Sequence, residues 1–196
     1  LRQVAGRPVQ HSSLPQRCPK QHPGLGAVAT VMIGLIVAFT SSCSAPQLPA
    51  AATAPKLVAK TLNGQMIGLE QLRGHVVLLD FMASWCRPCE KAVPHYVALS
   101  AKLRPRGLRI VLISEDEDRP DIVDFVARLG VKLPVAMDPG ERWYKAFGVT
   151  ALPTAVLVDR AGRVRHVIDG GSSPDKGPQS MTTRVDRAVA ELLAER

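Results

Sequence analysis

Apolar residues in the second two-thirds of the chain fall into short blocks, each about the length of one secondary-structure element. His75-Val76-Val77-Leu78-Leu79-Asp80-Phe81 and Leu108-Arg109-Ile110-Val111-Leu112-Ile113 are nearly continuous apolar runs. That is the pattern of central strands buried on both faces, not of half-exposed strands that alternate. Val131–Ala136 reads as a shorter strand. Thr154–Val158 and Val164–Ile168 read as two more, joined by Asp159-Arg160-Ala161-Gly162 as a hairpin turn. Upstream, Leu57–Lys60 and Gln65–Ile67 flank Asn63-Gly64, a pair suited to the positive φ of a tight turn, so a small hairpin leads the domain.

Helical patterns fill the gaps between these strands. One runs from Cys86 to about Leu103 with Pro94 inside it, where the missing N–H and the ring's bulk predict a kink. A second starts at Asp118-Arg119-Pro120, with proline in its first turn, and reaches about Leu129. Pro139–Phe147 reads as a short helix and Met181–Ala194 as a terminal one. Strands interleaved with helices, then a hairpin and a last helix, imply an α/β domain over 56–196: a mixed central sheet with helices on both faces and an N-terminal β-hairpin extension.

Residues 1–43 have a different character. Arg17 and Lys20 precede an uncharged apolar run from Leu25 to Phe39, which is followed by Ser41, Ser42, Ser44 and Ala45. A basic flank, an apolar stretch and a small-residue exit are the parts of an export signal, and the run is short for a full membrane span. Phe39-Thr40-Ser41-Ser42-Cys43 resembles a bacterial lipobox, with Thr40 and Ser42 departing from its usual Leu and Gly or Ala; Cys43 would then be lipidated. A cleaved signal, a lipid anchor at Cys43 and a retained anchor helix all place the domain outside the cytoplasm. Residues 44–55 carry no charge and no periodicity, and read as a Pro/Ala-rich tether.

The formal charge is +8, from 25 Lys and Arg against 17 Asp and Glu. Residues 1–43 contribute Arg2, Arg7, Arg17 and Lys20 with no acid, leaving 21 minus 17, or +4, for the rest. With aromatic residues at only 4%, that remainder does not build a basic, stacking-rich nucleic-acid surface.

The candidate chemistry lies in Trp85-Cys86-Arg87-Pro88-Cys89. A strand ending near Ser84 and a helix beginning near Cys86 put the first thiol at a helix N-terminus. There, free backbone N–H groups and the positive end of the dipole favour the thiolate, the species that attacks a disulfide. Arg87 adds a positive charge beside it. Cys89, one turn on, shares its face and can close a reversible disulfide. A zinc site would need two more ligands, and no Cys or His pair at ligand spacing follows.

Taken together, these residues resemble the thioredoxin superfamily, and within it the exported, membrane-tethered thiol–disulfide oxidoreductases of the TlpA/ResA type. The resemblance spans about Leu57 to Arg196. It rests on Asn63-Gly64 with Leu69 and Gly74, on Asp80 through Cys89 with Pro94, and on Gly148-Val149-Thr150-Ala151-Leu152-Pro153-Thr154 with Asp159 and Gly162. It implies that Cys86 is the attacking thiol and Cys89 the resolving one, with Asp80 and Trp85 completing the catalytic set. Pro153 would be a cis-proline facing the dithiol, and Leu152, Arg87 and Pro88 would contact an extended substrate. Asp80, at the end of an apolar run, would be a buried carboxylate able to take the resolving thiol's proton. In the ResA-like pattern a Glu stands three residues after the second cysteine; here that position is Ala92, so Asp80 would have to supply the acid–base function.

The resemblance further implies disulfide-bearing protein substrates, apocytochrome c before haem attachment among them. It also implies a membrane electron donor of the DsbD/CcdA type and no cofactor within the chain. Pro88 resembles the reductase-type dipeptides. A thioredoxin-fold peroxidase would need Pro-x-x-x-Thr-x-x-Cys, which is absent. A dithiol metal-binding module would favour Met or His neighbours, which the pair lacks. His75, His95 and His166 are isolated and read as structural or solvent-facing.

Overall fold

The computed structural model describes residues 52–170 and 178–195. The segment expected to be an export signal or anchor, Cys43 and the expected tether up to residue 51 lie outside the described residues. Among the described residues no helix is long and apolar enough to cross a membrane.

Gly64, at φ +87°, closes the turn between β1 (Val58–Lys60) and β2 (Met66–Gly68), which pair antiparallel with Ala59 opposite Ile67. Beyond a short 3-10 turn at Leu69–Leu72 the chain enters β3 (Val76–Met82), all seven residues of which are buried. β3 pairs in parallel with β4 (Leu108–Ser114) over its whole length, from Val76 opposite Leu108 to Met82 opposite Ser114. β5 (Val135–Met137) lies parallel outside β4, while β6 (Thr154–Val158) and β7 (Val164–Asp169) continue antiparallel on the other side of β3. The order is β5-β4-β3-β6-β7, a mixed sheet whose most apolar strands are central.

Alternation along β3 sends Leu78 to one face and Val77, Leu79 and Phe81 to the other. The first face packs with Leu112 and Leu157 against α1 (Arg87–Leu103), α2 (Arg119–Arg128) and α4 (Pro178–Ala194). The second packs against α3 (Arg142–Phe147) and the leading hairpin, with the Phe81 ring edge-on to Tyr144 at 4.9 Å. α1 remains one helix through Pro94, an exposed residue.

Three boundaries differ from the sequence expectation, each for a local reason. The strand expected over Val131–Ala136 forms only from Val135. Pro134 has no N–H for a ladder, and its carbonyl makes the last rung by accepting from the Leu112 N–H at 2.9 Å. The helix expected from Pro139 begins at Arg142, because Gly140 and then Glu141, at φ +91° and +58°, turn the chain first. The folded unit also reaches upstream of Lys56: Thr53 bridges Arg163, and Ala54 is buried in the core.

α3 has six residues and depends on a cap from outside it. The buried Asp138 carboxylate accepts from the N–H groups of Arg142, Trp143 and Tyr144 at 3.1, 2.8 and 3.1 Å. Asp138→Ala leaves three donors at a buried helix start and should cost about 2 kcal/mol, read as a lower urea midpoint at unchanged slope.

Candidate active site

The end of β3 delivers the chain to the site. Ala83, Ser84 and Trp85 cross from Met82 to Cys86, which occupies the N-cap of α1 in an extended conformation (φ −82°, ψ 97°). Its Sγ accepts from the Cys89 N–H at 3.3 Å, so the N-terminal donors of α1 point at the first sulfur. Pro88 sits in the first turn, where its missing N–H costs nothing to the helix. Cys86 and Cys89 are joined in a disulfide with Cα atoms 5.3 Å apart. The two sulfurs are unequally placed: Cys86 is 5% exposed and edges a groove, whereas Cys89 is fully buried under the helix. Trp85, at 66% exposure, stands beside Cys86 as a bare indole, and Arg87 and Pro88 are exposed on its other side.

The crossing turn is held by a residue that the sequence reading did not single out. Asp116, buried just past β4, accepts from Ser84 N–H at 2.9 Å, Ser84 Oγ at 2.6 Å and Ser114 Oγ at 2.5 Å. This ties the residue before Trp85 to the end of the neighbouring strand. Glu115 is tied there as well: its N–H donates to Met82 O at 3.2 Å, and the Tyr144 hydroxyl donates to the same oxygen at 2.9 Å. Of the acidic run Glu115–Asp118, the sequence pattern gives only Asp118 a place, at a helix start. Asp118 does occupy the N-cap of α2, but its side chain makes no capping hydrogen bond.

The facing wall is the loop before β6. The Leu152–Pro153 peptide bond is cis, Leu152 is half-buried and Pro153 is buried. Gly170, just past β7, donates its N–H to Pro153 O at 2.8 Å, and a Cβ at this position would meet the Pro153 ring at 2.8 Å. A groove of about 520 Å³ runs between this loop and the helix start, lined among others by Trp85, Cys86, Pro88, Leu152, Tyr144 and Glu115. Burial, with Glu141 and Asp116 nearby, holds the Glu115 carboxyl above its ordinary range. Glu141 is paired with Lys145 at 3.2 Å.

Asp80 is on the helix-covered face of β3, fully buried, between Leu112 on β4 and Ala155 on β6. Both neighbours belong to the same apolar cluster as Cys89, Ala92 and Tyr96. Neither carboxyl oxygen has a hydrogen-bond partner among the described residues, and desolvation pushes the pKa well above the usual carboxylate range. Ala92 is buried in that cluster with no polar atom to offer, and Glu90 turns away to pair with Arg128 of α2. The structure thus brings Trp85, Cys86, Arg87, Pro88 and Leu152 to one groove, with Pro153 behind it and Cys89 and Asp80 beneath. The histidines at 75, 95 and 166 lie elsewhere: His95 pairs with Asp186 at 2.8 Å, His75 accepts from Arg109 at 2.8 Å, and His166 stands 3.8 Å from Glu191.

A dithiol capping a helix that leaves the central strand of a thioredoxin-fold sheet, opposite a proline loop, defines a thiol–disulfide oxidoreductase. The chain belongs to the AhpC/TSA family, whose model matches residues 50–167. Among its relatives, thiol-disulfide oxidoreductase ResA of Bacillus anthracis is 37% identical over 123 residues, 63% of this chain and 71% of the relative. ResA of Halalkalibacterium halodurans is 31% identical over 149 residues, 75% and 85% of the two chains. The crystal structure of a putative thiol:disulfide interchange protein DsbE from Chlorobium tepidum superposes with a TM-score of 0.68 at 28% identity, covering 76% of this chain and all of that one.

Two outcomes are expected. Because burial raises the Asp80 pKa in the folded state above that of the unfolded chain, about 4, Asp80 weakens the fold as pH rises from there toward the folded value. Asp80→Leu should therefore stabilise the protein by about 1–3 kcal/mol, with the gain over the parent widening as pH rises above about 4 in urea titrations. Gly170→Ala should displace the Pro153 loop at a cost of about 1–3 kcal/mol and slow reaction with protein disulfides more than with small disulfides. Equal slowing of both would show that the loop does not contact the protein substrate.

Proposed function

We propose that the protein is an exported, membrane-tethered reductase of disulfides in extracytoplasmic proteins, with apocytochrome c among its clients. The observation that carries the reading is the unequal dithiol: Cys86 faces a groove walled by Leu152 and Trp85, and Cys89 is sealed below it. Likeness to ResA and to a DsbE-type interchange protein supports the chemistry. The apolar run Leu25–Phe39 and Cys43 support export and a tether, and the electrons come from an external donor of the DsbD/CcdA type.

An extended client segment lies in the groove with its backbone along Leu152. The Cys86 thiolate attacks one client sulfur; the client S–S bond breaks, a Cys86–client disulfide forms, and the departing client thiolate takes a proton from water. Cys89 then gives its proton to Asp80 in its ionised form, which burial keeps scarce and makes a stronger base than an ordinary carboxylate. The Cys89 thiolate attacks the Cys86 sulfur, closing the Cys86–Cys89 disulfide and expelling the second client thiolate, which is protonated in turn. The client gains two electrons and two protons. The membrane donor returns two electrons to the dithiol, and Asp80 passes its proton back as Cys89 is released.

Cys89→Ser should stall this sequence after the first step. Expressed in cells, the variant is expected to accumulate mixed disulfides, seen on non-reducing gels, with client proteins from outside the cytoplasm. Cys86→Ser should accumulate none. The purified dithiol should have a potential near that of thioredoxin, about −270 mV. A value near about −120 mV would make the protein an oxidant and sink the reductase reading, whereas captured clients from the cytoplasm would sink export.

A further inference from the structure

A second groove lies away from the dithiol, where the sheet splits. β4 has seven residues, but β5 pairs with only the last three of them, Leu112–Ser114. Upstream of the rung from Leu112 N–H to Pro134 O, residues 131–133 part from β4 and leave it without a strand partner on that side. A groove of about 670 Å³ fills the split. Four consecutive residues, Leu108, Arg109, Ile110 and Val111, line it, which happens only when a groove follows a strand's edge rather than its face. Main-chain groups in a strand alternate from side to side. Since Leu112 points its N–H toward β5, Ile110 points both its N–H and its C=O into the groove, and Leu108 points its N–H there.

The walls say what would fit. Val123 and Val126 of α2 give one bank an apolar surface, and Val123 is 41% exposed for no partner within the fold. Arg104, Arg109, Arg119 and Lys132 also line the groove, together with no aspartate or glutamate, and none of the four is ion-paired among the described residues. Arg109 and Arg119 are spent on carbonyls, of Leu108 and Leu62 respectively. Arg104 and Lys132 are exposed. Elsewhere the fold covers such edges itself: Thr61 bridges Ala136 along β5, and Thr53 bridges Arg163 at the start of β7. A small anion would use the cations and the Ile110 N–H but leave the Ile110 carbonyl idle. An extended peptide uses both main-chain groups, sets alternate apolar side chains on Val123 and Val126, and presents acids to Arg104 and Lys132.

We propose that this half-open edge of β4 is a docking site for a partner protein, which adds an extended segment of alternating apolar and acidic residues as a strand. The site is separate from the dithiol groove, so docking and disulfide exchange can occur on one molecule.

The test uses the full chain and two synthetic peptides, acetyl-Val-Glu-Val-Asp-Val-Glu-amide and its counterpart with lysine at each acidic position. The acidic peptide should bind saturably, at least tenfold more tightly than the lysine peptide, and binding should weaken with salt. Amide hydrogen exchange at Leu108 and Ile110 should slow at least tenfold on binding, with Arg109 and Val111, already turned toward β3, unchanged. Lys132→Glu with Arg104→Glu should weaken binding at least tenfold without altering the rate of disulfide reduction. Equal binding of the two peptides would overturn the proposal. So would binding without slowed exchange at Ile110, which marks a superficial charge contact, or no binding up to millimolar peptide.

Discussion

Parallel pairing of β3 with β4, unbroken from Val76–Leu108 to Met82–Ser114, is the constraint on which the site depends. The two strands end level with one another, and everything that holds the dithiol leaves from those two ends. From β3 come Ser84, Trp85 and Cys86; from β4 comes Asp116, whose carboxylate gathers Ser84 N–H and Oγ. One residue of slip would carry Asp80 to the opposite face of the sheet and separate Ser84 from its acceptor. The backbone oxygen of Met82 is the pivot, receiving both the Glu115 N–H and the Tyr144 hydroxyl. Three elements are thereby fastened at the level where the helix begins.

The two charged features of the site serve opposite ends. Helix donors directed at Cys86 stabilise negative charge on an accessible sulfur. Asp80, stripped of hydrogen-bond partners beneath the same helix, resists carrying charge at all. A buried carboxyl without partners weakens the fold, and its place between Leu112 and Ala155 fits the role of proton acceptor proposed for it. Ala92 sharpens this division, because no second acid on α1 shares the task.

What could be read along the chain was whatever is written locally. The near-continuous apolar runs of β3 and β4, Asn63-Gly64 at the first turn, and two cysteines one helical turn apart each carry their meaning within a few residues. Asp80 was legible because it interrupts an apolar run, and Leu152-Pro153 through resemblance. The supports were not legible in this way. Ser84 and Asp116 are 32 residues apart, and an aspartate among four consecutive acids has no local mark of burial. Asp138 looks like a turn residue until α3 is seen to start four residues later on its carboxylate. Gly170 stands at a strand end, where nothing in the sequence shows that a proline ring occupies the space of its absent side chain. The late start of β5 was missed because an apolar run records burial and does not record where two strands diverge.

The depth difference between the two sulfurs also sets the molecule's valency. Only Cys86 borders the groove, while Cys89 lies at zero exposure under α1. One client can therefore be held covalently at a time, and a second cannot enter from behind while the first is bound. The sealed sulfur competes for Cys86 from inside the protein, at a concentration no external thiol matches, so release of the first client is decided within the fold and not by the crowd of thiols around it.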